Sequence, residues 1–490
     1  MIRSFLSMTI TFTLMLSGCN GNDQDSAVAV SVIGAKPKMM DPSRSALDQP
    51  SAVLTGAMFQ GLVAFNAAGE IEPALAERWI VTDDGLSYIF RIKRARWSDG
   101  RPVTAKEVAQ SLRAALSSGS RNSLRSHFGA VAEIVAMTDW VIEVRLTSPQ
   151  PELLPLLAQP EMAVLRAGKG TGPYRLYRAY PNSFVLRPVL PEGLSESEID
   201  PDILRNSERR LRGEKAPAAL VRYSAGDVSL VLGGSFDDVP YVQHARIPND
   251  QFRRDLAAGI FGLAVTPSSS ILNDRDVRLA LAMSIDRQRL VNRFQVNGWR
   301  PQETILPGPI ALSGNQALPE WAQMNATARL QRGRTIIAER QQSADQRMTV
   351  RVAMPNGPGG QLLFAQLSAD WSRIGVRAVH VKMGAAADLR LVDMVAPQNT
   401  AAWYLKKFMC AESIKCSATT DDVLTRARKL SDNKARAEAL SVVDAAVTKD
   451  QYFIPLATPL RWSIVSPRLA GYQENVFAVH PLNRLARVGR

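Results

Sequence analysis

An α/β fold divided into more than one lobe is what this sequence predicts, and three observations predict it. Strand patterns alternate with helix patterns along the chain, one β-α-β unit can be read outright, and 490 residues exceed what a single hydrophobic core organises. The composition, 46% hydrophobic and 21% charged, is that of a globular protein and sets aside disordered and fibrous classes.

The elements follow in chain order. Arg3 precedes a short apolar run, Phe5 to Leu16, and the chain then reads Leu16-Ser17-Gly18-Cys19. Small residues ahead of a cysteine form a lipobox, so residues 1–18 are expected to be a lipoprotein signal peptide. Cys19 then becomes the lipidation site and 19–26 a polar tether. An ordinary secretory signal with an incidental cysteine is the plainer alternative. Each buried methylene contributes about 0.8 kcal/mol, so two or three acyl chains would hold the protein at a membrane where one would not. Beyond this segment nothing approaches the roughly 18–20 apolar residues of a membrane span; Pro151 to Leu165 is interrupted by Glu, Gln and Pro. The body is therefore expected to be soluble.

Ala27 to Ile33 predicts a first strand, ended by Met40-Asp41-Pro42. Tyr88 to Ile92 and Trp140 to Leu146 predict further strands, the second with strict period-2 alternation. Between them Thr104 and Glu107 form a capping box for a helix whose buried stripe is Val108, Leu112, Ala115 and Leu116. A second region begins near Pro267, where Asn273 and Asp276 bracket a helix start and Val277, Ala280, Leu281 and Ser284 form its inner face. Asp286 caps the next helix. The β-α-β unit is Met348 to Met354, a helix with Leu363, Leu367, Trp371 and Ile374 on one face, a stop at Gly375, and Val376 to Val381. The alternation predicts largely parallel sheets. Leu190 to Glu214 and Ala311 to Asn325 are the most linker-like stretches.

Charge and cysteines narrow the function. The formal net charge is +13, but its densest cluster, Arg205, Arg209, Arg210, Arg212 and Lys215, is interrupted by Glu208 and Glu214 and lacks interleaved aromatics. It predicts a solvated helix face and no nucleic-acid partner. Cys410 and Cys416 are the remaining cysteines; they form either a local disulfide contributing about 2 kcal/mol or two free structural thiols. Two cysteines alone make no zinc site, and no metal or cofactor is implied. There is no phosphate-binding glycine loop, no Gly-x-Ser-x-Gly elbow and no His-Glu-x-x-His pair, and the four histidines stand far apart. No catalytic residue is assigned, and the chain is expected not to be an enzyme.

An ordered series of segments is more specific. It runs Met40-Asp41-Pro42, Phe59-Gln60-Gly61-Leu62, Pro73 to Trp79, Asp83-Asp84-Gly85-Leu86-Ser87-Tyr88 and Trp97-Ser98-Asp99-Gly100 to Val108. It continues with Gly170-Thr171-Gly172-Pro173-Tyr174, Arg222 to Val228, Asp276 to Arg287 and Ile454-Pro455-Leu456. In this order the series resembles family 5, oligopeptide- and dipeptide-type, extracellular solute-binding proteins of ABC importers, over nearly the whole mature length. The segments have local readings as scaffold: Trp97 to Gly100 as a tight turn, and Gly170 to Tyr174 as a backbone crossing between lobes.

The resemblance implies a periplasmic-binding-protein-like fold, with two hinged α/β lobes plus a smaller third lobe packed on lobe I. Lobe I would comprise 27–44, 168–260 and 460–490, the small lobe 45–167 and lobe II 261–459. It implies capture of a peptide or peptide-like small molecule by hinge closure, delivery to ABC permease and ATPase subunits, and residence in the periplasm or at the cell surface. A sensor or adaptor lipoprotein of the same fold that supports no transport is the alternative. Peptide-binding members hold the ligand's amino terminus with an aspartate in the segment aligning with Asp388 to Cys410. Here Val395-Ala396-Pro397-Gln398-Asn399 stands where an Asp-Tyr pair would be expected, leaving Asp393 as the nearest carboxylate. Asp393 is thus either the anchor or a surface or capping acid. Trp403 and Tyr404 either floor the pocket or pack in the core, and Ser51 aligns with another ligand-facing loop. The departure at Val395 also admits an anionic or amine-blocked solute.

Overall fold

The computed structural model describes residues 27–191, 193–308, 310, 312–341, 347–410, 414–427, 430 and 432–488. Cys19, with the signal and tether, lies outside the described residues. Among the described residues no helix is long and apolar enough to cross a membrane.

Three sheets organise the chain. The largest has seven strands in the order Phe252–Arg254, Arg461–Val465, Leu230–Ser235, Val28–Ile33, Arg209–Glu214, Ser183–Pro188 and Tyr174–Tyr180. The second has five: Arg377–Lys382, Thr349–Met354, Leu389–Val395, Gly259–Val265 and Phe453–Ala457. A four-stranded sheet, Ala76–Val81, Ser87–Ile92, Val141–Leu146 and Val131–Thr138, forms a smaller lobe with its own core around Phe90, Trp97, Leu112 and Ile142.

The local expectations are met where the signal is short-range. Thr104 and Glu107 form the capping box of the helix Ala105–Leu116, and Val108, Leu112 and Ala115 are buried. Trp97 is buried at a turn where Gly100 adopts φ +85°. Leu363, Leu367 and Trp371 are fully buried along the helix Pro358–Ser372, and the Trp371 indole donates to the Leu281 carbonyl at 3.0 Å. Gly172 lies against Met58, where a Cβ would approach the Met58 carbonyl carbon to 2.3 Å; only glycine lets the chain pass there into the strand Tyr174–Tyr180.

Two expectations are corrected. The sheets are mixed: parallel pairing is confined to Val28–Ile33 with its two neighbours and to Thr349–Met354 with its two. Tight hairpins such as Tyr174–Tyr180 with Ser183–Pro188, and strands arriving from the other lobe, add antiparallel neighbours. The stretch 190–214 is not a linker, and its arginines do not form a solvated helix face. It contains Arg209–Glu214, an interior strand of the seven-stranded sheet. Arg209 is buried there, donating to the carbonyls of Leu482, Ser207, Glu208 and Leu485 and lying 5.4 Å from the Tyr174 ring. Four backbone acceptors replace the water that an arginine normally keeps, which is why charge patterning misplaces this strand.

The two large sheets are joined by residues 255–258, running from Arg254 to Gly259, and 458–460, running from Ala457 to Arg461. Behind the crossing one hydrophobic cluster is shared by both: Phe236 of the first lobe meets Phe261 of the second edge-to-face at 4.9 Å, and Trp462 and Leu456 belong to the same cluster. Gly259 opens the second sheet with φ +151°, and a Cβ there would approach the Met394 carbonyl oxygen to 2.0 Å.

Replacing Gly259 with Ala is expected to destabilise the protein by about 1–3 kcal/mol, because the obstructing atom is backbone. Urea unfolding measures it; an unchanged midpoint would mean that the crossing is pliable. Cys410 and Cys416 are joined in a disulfide. Reducing it, or replacing both residues with Ala, is expected to lower stability by about 2 kcal/mol.

Candidate functional site

A cavity of about 1500 Å³ lies between the lobes in front of the crossing. That exceeds the roughly 300–1,000 Å³ of sites built for drug-sized molecules. Its walls come from all three lobes: Leu232 and Arg461 of the first, Gln159 and Glu161 of the smaller lobe with Gln49 and Val53 on the helix Gln49–Met58, and Trp403 of the second. The smaller lobe and the second lobe touch directly across the opening. Gln159 Nε2 donates to the Pro397 carbonyl at 3.3 Å, Lys406 Nζ to the Ser126 carbonyl at 2.6 Å, and Arg436 Nη1 to the Pro149 carbonyl at 3.3 Å.

Asp393 sits on the strand Leu389–Val395, opposite Phe261. Its two carboxylate oxygens accept from Arg461 Nη1 at 2.9 and 3.0 Å, and Arg461 Nη2 lies 3.4 Å from the Asp393 carbonyl. Arg461 belongs to the other large sheet, opposite Ser235, so the pair spans the two lobes at the second crossing. Burial pushes the Asp393 carboxyl above the usual range, and Arg461 pulls the other way. The side chain is neither a surface nor a helix-capping acid. It lines the cavity with its charge already matched.

The other residues singled out from sequence separate. Trp403 lines the cavity and packs edge-to-face on Tyr404, centroids 4.8 Å apart, with Lys407 Nζ 5.6 Å from its own ring. Tyr404 is fully buried and stands outside the cavity wall; its hydroxyl donates to Asn399 Oδ1 at 3.0 Å, and burial pushes the phenol upward. Ser51 lies in the first turn of the helix Gln49–Met58, fully buried, its Oγ accepting from the Lys38 amide at 3.0 Å. Gln49, Ala52 and Val53 of the same helix face the cavity instead. The structure therefore brings Asp393 and Trp403 to one wall and leaves Tyr404 and Ser51 behind it.

Sequence reading passed over Arg461, Gln159, Glu161 and Lys406. Gln159 and Glu161 carried a signal, being polar interruptions in the apolar run Pro151 to Leu165. Arg461 carried none. Among the described residues no group of three or more His, Cys, Asp or Glu side chains is placed to hold a metal ion.

Two lobes joined by short crossings, with a cavity enclosed between them, define the class of two-lobed binding proteins. The chain matches the model of the bacterial extracellular solute-binding proteins, family 5 Middle, over residues 70–393, and it belongs to that family. It is 21% identical over 484 residues to the periplasmic oligopeptide-binding protein OppA of Escherichia coli, covering 90% of this chain and 88% of that protein. The fold is shared with Haemophilus influenzae OppA in complex with the peptide RPPGFSPFR, at TM-score 0.78 and 16% identity, covering 95% of this chain and 100% of that one. It is likewise shared with the Escherichia coli murein tripeptide binding protein MppA, at TM-score 0.78 and 19% identity, covering 95% and 99%.

The Asp393–Arg461 pair yields a pH test. Arg461→Leu leaves a buried carboxylate uncompensated, which is expected to cost about 1–3 kcal/mol at neutral pH, below the 3–5 of a fully buried pair because both side chains keep some water. In the variant burial alone sets the folded-state affinity for the proton, so folded Asp393 binds a proton more tightly than the unfolded chain. The deficit relative to wild type should then shrink as pH falls toward the unfolded value near 4. Urea unfolding at pH 7.5 and 4.5 measures this; equal deficits would assign the loss to packing.

Proposed function

We propose that this protein is the extracytoplasmic substrate-binding lipoprotein of an ABC importer, anchored through Cys19, which captures a peptide or peptide-like solute by hinge closure and delivers it to the permease. The observation that carries this reading is the cavity: large, walled by all three lobes, and placed where the two crossings let its walls part. Family membership and the peptide in the Haemophilus influenzae relative support the solute class. The contacts to backbone carbonyls across the cleft also fit, since such hydrogen bonds contribute only about 0.5–1.5 kcal/mol each, or 1.5–3 from a charged donor. Such contacts form and break readily. A solute that touches both walls adds the differential affinity which makes the closed form dominant.

Trp403 supplies an aromatic wall for such a solute. The domain division that goes with this reading is lobe I over 27–44, 168–260 and 460–490, the small lobe over 45–167 and lobe II over 261–459.

Native mass spectrometry of the protein taken from cells should recover a bound solute unchanged after long incubation, and X-ray scattering should show the emptied protein expanding and the refilled one contracting. A panel of peptides that leaves the scattering unaltered would overturn the reading. Cys19→Ala is expected to move the protein from the membrane to the soluble fraction with its affinity intact. Lys406→Met removes a charged donor that reaches the Ser126 carbonyl across the cleft and should weaken solute binding about tenfold. Calorimetry checks this; unaltered affinity would exclude the contact from closure.

A further inference from the structure

Resting on the reading that the cavity takes a peptide-like solute, we propose that Glu161 is the counter-ion for a primary ammonium group on that solute, and that Asp393 is not. Three carboxylates line the cavity: Glu72, Glu161 and Asp393. Glu72 is ion-paired with Arg484, and Asp393 is held by Arg461 through both oxygens. Glu161 has no ion-pair partner among the described residues. It is the one acid of this wall left to meet a ligand's charge.

Its position suits the task. Glu161 lies on the short turn Pro160–Met162, inside the apolar stretch that builds the smaller lobe's core, and Met162 beside it is fully buried. The turn is fixed from behind, because Asn122 Nδ2 donates to the Glu161 carbonyl at 2.7 Å. Two residues earlier, Gln159 reaches across the cleft to the Pro397 carbonyl, so Glu161 sits where the smaller lobe seals against the second. Partial burial pushes its carboxyl above the usual range, with no described cation to pull it back. Of the other cations that line the cavity, Lys169 is solvent-exposed, Arg94 lies 5.9 Å from the Trp140 ring, and partial burial pushes the Lys93 ammonium down.

The consequence is specificity by an uncompensated charge. Closure over an ammonium gives the buried carboxylate a partner, whereas closure over a blocked amine leaves it to take up a proton or stay unpaired. Binding of an ammonium therefore keeps Glu161 ionised, and affinity for a free amine should rise with pH through the carboxyl's titration while affinity for a blocked one should not.

Calorimetry with tri-alanine and N-acetyl-tri-alanine on wild type, Glu161→Gln and Asp393→Asn tests this. Wild type should favour the free amine about tenfold or more, Glu161→Gln should bind both peptides alike, and Asp393→Asn should shift both affinities together while keeping the preference. An unfolding midpoint of Glu161→Gln at or above wild type would show that the lost preference is not lost structure. A preference that survives in Glu161→Gln, or disappears in Asp393→Asn alone, overturns the proposal while leaving the peptide reading intact. Failure of both peptides to bind wild type removes the peptide reading. Benzylamine against benzyl alcohol then decides: amine binding that depends on Glu161 sustains the assignment, and its absence overturns it too.

Discussion

The Asp393–Arg461 ion pair is the interaction around which the molecule is arranged. It joins the strand Leu389–Val395 inside one large sheet to the strand Arg461–Val465 inside the other, at the point where the chain returns between them, and both residues line the cavity. The first crossing is tied to the same place, because the Asp255 amide donates to the Arg461 carbonyl at 2.9 Å. Asp255 in turn receives the Asn475 amide and lies 3.1 Å from His480 Nε2, which ties the chain's last segment to the hinge. A charge pair here adds what the apolar packing behind it lacks: it fixes direction and register between the two sheets.

The distribution of forces follows from that constraint. Behind the crossing the lobes share a continuous apolar cluster through Phe236, Phe261, Trp462 and Leu456, whose burial makes this side permanent. In front of it the lobes meet through side-chain donors to backbone carbonyls at Gln159, Lys406 and Arg436. A hinge needs this asymmetry, strong and non-directional on one side, weak and directional on the other. The cavity occupies the weak side.

Legibility from sequence tracked the range of the interaction concerned. The capping box at Thr104, the turn at Gly100 and the apolar stripe ending at Trp371 are set by residues a few positions apart, and each was read correctly. Arg209 was misread because its four carbonyl partners include Leu482 and Leu485, more than two hundred residues away, which turn a surface residue into a sheet interior one. Sheet direction failed for a related reason: a strand's neighbour can come from the other lobe, as Arg461–Val465 does between Phe252–Arg254 and Leu230–Ser235. For the site, sequence singled out Asp393 and Trp403, which both line the cavity, but it had no means of seeing that Arg461 neutralises the first. Nor could it place Ser51 and Tyr404 behind the wall, since a helix or strand presents both faces to sequence and only one to the cavity.

By itself, then, the sequence determined the α/β class, the order of motifs that marks the family, and the local geometry of turns and helix starts, because each depends on neighbours along the chain. Only the tertiary structure decided which carboxylate is spent on the hinge and which is left facing the ligand. Asp393 and Glu161 are chemically near-equivalent in sequence, and what distinguishes them is an arginine brought from 68 positions further along to one and, among the described residues, no cation to the other. Pairing in space between lobes is a property of the closed fold, and no local pattern encodes it.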